Sequence, residues 1–187
     1  MTGAILTNRS AKDRNSVDFY ETPEQVTVAL ADFLEANCGL TNAATIWEPA
    51  CGKGKLANVF RARGGYSVVC TDLNDFGYGE NGVDFLTAER DCDWIITNPP
   101  FSKATEFIEH ALELNKKCAF LLKSQFFHAK SRINLFENNP PSYILPLTWR
   151  PDFLYGQKSG SPTMEVMWVV WDGTHNCTYR PLRKPEV

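Results

Sequence analysis

The stretch "DWIITNPPF", Asp93–Phe101, decides the reading of the chain. Trp94 to Thr97 are strand formers, and they run straight into Asn98-Pro99-Pro100-Phe101. Proline lacks a backbone N–H and fixes φ, so two in succession stop a strand abruptly. A strand that stops this way presents an amide, two rigid carbonyls and an aromatic ring. Working outward, "ATIWEPACGKGKLANVF" reads as strand, glycine turn and helix, the helix reaching about Arg63. "YSVVCTDL" is a second strand ending in Asp72, "DFGYGENG" a loop, and "CDWIITN" the third strand. A helix over about Lys103 to Asn115 and the strand "CAFLLKS" follow. Strands alternating with helices predict an α/β fold with a mostly parallel central sheet covered on both faces.

The remainder extends that pattern. A helical stretch is expected over about Gln125 to Glu137, ended by Asn139-Pro140-Pro141. "SYILPLTW" and "MEVMWVVWD" read as two further strands, joined by "RPDFLYGQKSGSPT" without a helix. They are expected to pair antiparallel at one edge, and the tail from Gly173 shows no pattern. At the other end, residues 1–18 read as a polar arm. Thr22 is expected as an N-cap, with Pro23 and Glu24 in the first turn of a helix that runs to Gly39. Residues 19–187 then form a single domain.

Composition narrows the class. Of 187 residues, 43% are hydrophobic and 22% charged, the balance of a globular domain. No apolar run approaches a membrane span, and the first residues lack the apolar core of a secretory signal, so a cytoplasmic location without membrane contact is expected. The six cysteines include no Cys-x-x-Cys pair and the three histidines are scattered, so no metal site is expected and the thiols read as reduced core residues. A net charge of −3 argues against a wholly basic nucleic-acid binder but leaves room for a local basic groove.

Two features point to a nucleoside-bearing ligand. The turn "WEPACGKGK" sits between strand and helix, where glycine lets the backbone turn sharply and approach a ligand. Asp72 ends the next strand twenty residues beyond Gly52, where a carboxylate accepts hydrogen bonds from a ribose diol. The spacing matches neither Gly-x-Gly-x-x-Gly nor the phosphate loop Gly-x-x-x-x-Gly-Lys-Ser/Thr, which disfavours NAD and ATP. S-adenosylmethionine, a nucleoside without phosphate, fits.

The Asn-Pro-Pro-Phe stretch suits chemistry on an exocyclic amino group. Such a nitrogen is a poor nucleophile because its lone pair is delocalised into the ring. Acceptors for both N–H bonds, the Asn98 side-chain oxygen and the Pro99 carbonyl, would localise that pair. The prolines would fix the acceptors in advance of reaction. Phe101 can stack on the base, an interaction of roughly 1–3 kcal/mol.

These elements together resemble the S-adenosylmethionine-dependent amino-methyltransferases, above all the adenine-N6 DNA methyltransferases. Their three signatures appear in order as Tyr20-Glu21-Thr22-Pro23, Glu48-Pro49-Ala50-Cys51-Gly52-Lys53-Gly54 and Asn98-Pro99-Pro100-Phe101. The resemblance runs from about Asp18 to Trp171. It implies the Rossmann-like class I methyltransferase fold and S-adenosylmethionine as cofactor. It further implies that Glu48 and the backbone through Gly54 hold the methionine part, with Tyr20 and Thr22 alongside and Thr22 near the carboxylate. Asp72 would hold the ribose and Leu73 would lie on the adenine. Asp84 would accept from the adenine amino group, with the Phe85 backbone beside it.

A base within a duplex must be flipped to reach such a pocket. Candidate phosphate contacts are Arg9, Lys12, Arg14, Lys123, Lys130, Arg132, Arg150 and Lys158. Gln125, Phe126 and Phe127 could line a base pocket or cap a helix. Only about 40 residues separate Gly54 from Asn98, and nothing domain-sized follows Trp171, so no separate target-recognition domain is expected. Such a compact form would suit a phage or mobile element and would draw specificity from the late loop, a specificity subunit or a second copy. DNA is the favoured partner. RNA follows closely, since only 2′-hydroxyl contacts separate the two. Cytosine-N4 methylation is less favoured, because those relatives usually carry Ser in place of Asn98. Protein-glutamine methylation usually has Tyr in place of Phe101. A catalytically silent nucleic-acid or subunit-binding module is the reading from another class.

Overall fold

Buried at all four positions, Trp94–Thr97 (β4) lies in the middle of an eight-stranded sheet. The computed structural model describes residues 20–153, 162 and 164–186. The other strands are β1 (Thr45–Glu48), β2 (Ser67–Asp72), β3 (Glu80–Asn81), β5 (Lys117–Lys123), β6 (Tyr143–Pro146), β7 (Val166–Trp171) and β8 (Thr178–Tyr179). Their order is β3-β2-β1-β4-β5-β7-β6-β8. The first five are parallel to their neighbours, and β7 runs antiparallel to both β5 and β6. This is the Rossmann-like α/β sheet of the class I methyltransferases.

Period-two patterning divides the core between the two faces. Ile46, Trp94, Ile96, Leu121 and Trp168 pack on one face with α1 (Glu24–Asn37) and α2 (Lys55–Arg63). Trp47, Ile95, Phe120, Leu122 and Val169 pack on the other with α3 (Ala104–Glu113) and Leu135 of α4 (Ile133–Asn138). The Trp168 indole crosses the first core and donates to the Val26 carbonyl at 2.9 Å.

Several expectations are revised. Thr22 does not cap α1: Pro23 holds the N-cap position with no side-chain bond, and its carbonyl accepts from Val26 N–H at 2.9 Å. The stretch 125–137 is two 3-10 segments, Ser124–His128 and Lys130–Arg132, before the six-residue α4. Arg132 explains the break, since it bonds back to the Phe126 carbonyl at 2.8 Å and its guanidinium lies 4.0 Å from the Phe126 ring centre. β6 and β7 do pair antiparallel, but the later strand is the inner one and β8 covers β6 on its outer side. The loop "DFGYGENG" contains β3. It folds back onto β2 because Gly79, at φ 73°, lies so close that a Cβ would meet the Cys70 carbonyl oxygen at 2.7 Å. The arm over residues 1–18, with Arg9, Lys12 and Arg14, falls outside the described residues, as does Lys158.

Among the described residues no helix is long and apolar enough to cross a membrane, and no group of three metal-binding side chains occurs. All six cysteines are free and only Cys177 is exposed. Burial pushes the Cys38 and Cys51 thiols up to about 12, and Cys70 and Cys92 up to about 11. Burial raises Cys118 as well; the thiolate is the reactive form, so these five resist reagents. A chromogenic disulfide titration of the native protein should therefore modify one thiol per chain, and peptide mass spectrometry should place it at Cys177.

Candidate active site

The chain leaves β1 toward β2 on one side and returns to β4 on the other, so a crevice opens at their carboxyl ends. In open α/β sheets this reversal is where ligands bind. A cavity of about 290 Å³ lies there, walled by the ends of β1, β2 and β4 and by the segment 20–22.

At the end of β1, Glu48 is buried and its Oε2 accepts from the Ala57 amide at 3.0 Å. Ala57 lies in the first turn of α2, whose N-cap residue, Gly54, has no side chain with which to cap it. Glu48 supplies the missing cap from the neighbouring strand. Burial, reinforced by the nearby Asp72 charge, pushes its carboxyl well above the usual range; the Ala57 hydrogen bond and Arg61 oppose this. Pro49, Ala50, Cys51 and Gly52 continue the wall. Gly52 has φ 51°, and its amide donates to Asp72 Oδ2 at 2.9 Å. Asn74 N–H donates to Asp72 Oδ1 at 2.8 Å. Asp72 thus ties the glycine turn to the loop after β2 and is itself buried at the cavity wall.

Leu73 follows with 60% of its surface exposed, an unusual exposure for leucine, and it lines the cavity. Asp84 sits at the opposite rim, where its Oδ1 accepts from Leu86 N–H at 3.0 Å. The Phe85 ring is buried against Trp47, Phe107 and His110.

Asn98, Pro99 and Pro100 form the β4 side. The Asn98 Nδ2 donates to the Tyr20 carbonyl at 3.1 Å and to Thr22 Oγ1 at 3.2 Å. A carbonyl can only accept, so this contact fixes which end of the amide is nitrogen. Asn98 Oδ1 is buried without a hydrogen-bond partner. Such an orphan acceptor costs about 1–3 kcal/mol of desolvation. The Pro100 carbonyl is already taken by Lys103 N–H at 2.8 Å.

Two expected residues stand outside the lining. Gly54, at φ 76°, lies behind the turn against Tyr78, whose ring carbon would be 2.1 Å from an added Cβ. Phe101 lies on the far side of the prolines, its ring centre 5.7 Å from Tyr20, with Lys123 Nζ 4.0 Å from its ring centre. Tyr20 also meets the Phe153 ring edge-on at 6.3 Å. Of the other basic candidates, Arg150 pairs with Glu165 at 2.6 Å and Arg132 is held against Phe126. Phe127 stacks on Phe136 away from the cavity, and Gln125 is exposed.

The cavity also takes in Phe76, Val83, Leu86 and Phe107, which no motif marks. Glu21 and Lys53, both inside quoted motifs, join by an ion pair of 3.6 Å between the segment 20–22 and the glycine turn.

Comparisons fall into place on this geometry. No family model matches the sequence, and no curated protein matches it. Solved structures do share the fold. A candidate RNA methyltransferase from Pyrococcus horikoshii aligns with a TM-score of 0.64 and 16% identity, over 81% of this chain and 86% of that one. The methyltransferase subunit of a type I restriction-modification system from Streptococcus thermophilus gives 0.64 and 15%, over 87% of this chain and 47% of the subunit. The magnesium protoporphyrin IX methyltransferase of Synechocystis, solved with bound S-adenosylmethionine, gives 0.52 and 16%, over 79% of each chain. The fold is that of the class I S-adenosylmethionine-dependent methyltransferases.

The buried Glu48 generates a stability prediction. A carboxyl whose folded pKa lies above its unfolded value of about 4.3 binds more protons folded than unfolded, so stability falls as pH rises through that interval. Glu48→Gln keeps an acceptor for Ala57 and has no charge to bury. Its melting temperature should match wild type near pH 4 and exceed it increasingly toward higher pH, as followed by thermal melts across a pH series.

Proposed function

We propose that this protein transfers a methyl group from S-adenosylmethionine to the N6 amino group of adenine in DNA. The observation that carries the reading is the orphan Asn98 Oδ1, a buried acceptor held at the wall of a cavity and lacking a partner of its own. A base amino group is the partner it suits.

The residues present fit the cofactor. Glu48, the backbone from Pro49 to Gly52 and Thr22 would hold its methionine part, Asp72 its ribose, and Leu73, Asp84 and the Phe85 backbone its adenine. When bound, the cofactor supplies a methyl group on a positively charged sulfur, which takes the bonding pair as the methyl leaves. Asn98 Oδ1 and the Pro99 carbonyl accept the two N–H bonds of the target, concentrating its lone pair on nitrogen. Phe101 stacks on the flipped base from outside the cavity. The amino group gains the methyl and loses one proton to solvent. Glu48, once it gives up its proton, would pair with the cofactor's cationic amino group, so cofactor affinity would rise with pH as Glu48 ionises.

DNA is favoured by the Asn-Pro-Pro-Phe resemblance and by the likeness to a restriction-modification subunit. The same chemistry on RNA is the second reading, favoured by the likeness to a candidate RNA methyltransferase over most of that chain. Labelled methyl transfer to duplex DNA, single-stranded DNA, RNA and protein, followed by product analysis, separates them. N6-methyldeoxyadenosine is expected; N6-methyladenosine would move the assignment to RNA, N4-methylcytosine to another base and methylglutamine to protein. Calorimetry showing no S-adenosylmethionine binding would instead mark a silent module. Asn98→Ala should lower kcat by about 10²–10³-fold, as for loss of one preorganised transition-state contact. Its cofactor affinity should change little in the same calorimetry.

A further inference from the structure

We propose that Thr22 is a positioning residue: its hydroxyl, together with the Tyr20 carbonyl, locks the Asn98 amide with oxygen toward the substrate. This rests on the methyl-transfer reading above. An amide is nearly symmetric in shape, yet its two ends are opposite in chemistry. Turned over, Asn98 would present N–H bonds to the N–H bonds of the target, donor against donor, and the acceptor would be lost. Something must fix the choice, because the shape of the site alone does not.

The fixing groups are on the segment leading into α1. Both Nδ2 hydrogens of Asn98 are used, one by the Tyr20 carbonyl at 3.1 Å and one by Thr22 Oγ1 at 3.2 Å. Oδ1 is thereby left as the unpartnered atom. Thr22 is 5% exposed, so water does not compete for its hydroxyl. Pro23 disfavours helical backbone at Thr22. The start of α1 indeed has no side-chain cap. A threonine just ahead of a helix would ordinarily cap it; here the hydroxyl is spent on Asn98, 76 residues away.

With Thr22→Val the shape stays and the hydroxyl goes, so one Nδ2 hydrogen loses its acceptor while Oδ1 stays unpartnered. The Tyr20 carbonyl still opposes the flipped amide, but Asn98 is then held at one point instead of two, and its oxygen is no longer fixed in place. With Thr22→Ser the hydroxyl is retained.

Two measurements decide the matter. In steady-state transfer to a DNA oligonucleotide at saturating S-adenosylmethionine, Thr22→Val should lower kcat by about 10–100-fold, the scale of a misplaced catalytic group. KM for DNA should hold, and Thr22→Ser should return kcat to near wild type. In ¹⁵N-resolved NMR of the full chain, the Asn98 side-chain amide protons should be protected from exchange in wild type and Thr22→Ser. In Thr22→Val that protection should fall, because only the Tyr20 carbonyl still holds the amide. Thr22→Ala serves as the second variant if the valine protein does not fold. Wild-type kcat in Thr22→Val, or equal damage by valine and serine, overturns the proposal. So does an Asn98 amide whose protection is unchanged in Thr22→Val. If wild type methylates no nucleic acid, the functional reading fails while the NMR result still judges the positioning on its own.

Discussion

Parallel strands cannot be joined by a tight turn; each must be reached by a crossover that returns the chain to the starting edge. That constraint governs this molecule. Because the chain first builds outward from β1 to β3 and then returns to β4, the ends of β1, β2 and β4 face one crevice. Glu48, Asp72 and Asn98, each at or just beyond a strand terminus, converge there from separate parts of the sequence. The antiparallel β7 closes the second half of the sheet and contributes core, leaving the crevice to the parallel half.

Electrostatics in the crevice follow from the same convergence. Glu48 and Asp72 are both buried, and each is committed to a backbone amide. Burial, with the Asp72 charge added, raises the proton affinity of Glu48. The orphan acceptor on Asn98 belongs to the same pattern: polar groups stay buried here at a cost to folding, as at sites whose partner arrives later.

Much of this was legible in the sequence. Alternating strands and helices announced the sheet, and the three motifs located the cavity wall almost residue by residue. What escaped did so for identifiable reasons. The Thr-Pro-Glu triplet has the composition of a helix start, but a long-range bond to Asn98 outcompeted local capping. β3 and β8 are two residues each and exist only because a neighbouring strand offers an edge, so no local pattern could reveal them. The break in residues 125–137 depends on one arginine reaching back to a carbonyl. Val83 and Leu86 enter the cavity because Gly79 lets its loop lie flat on β2, a contact that spacing does not encode.

The segment Tyr20–Thr22 has a consequence for anyone handling the protein. It walls the cavity, clasps the glycine turn through Glu21 and Lys53, and grips Asn98. Excising Tyr20–Thr22 would strip the cavity of part of its wall and Asn98 of both its hydrogen-bond acceptors, however far apart the two segments lie along the chain.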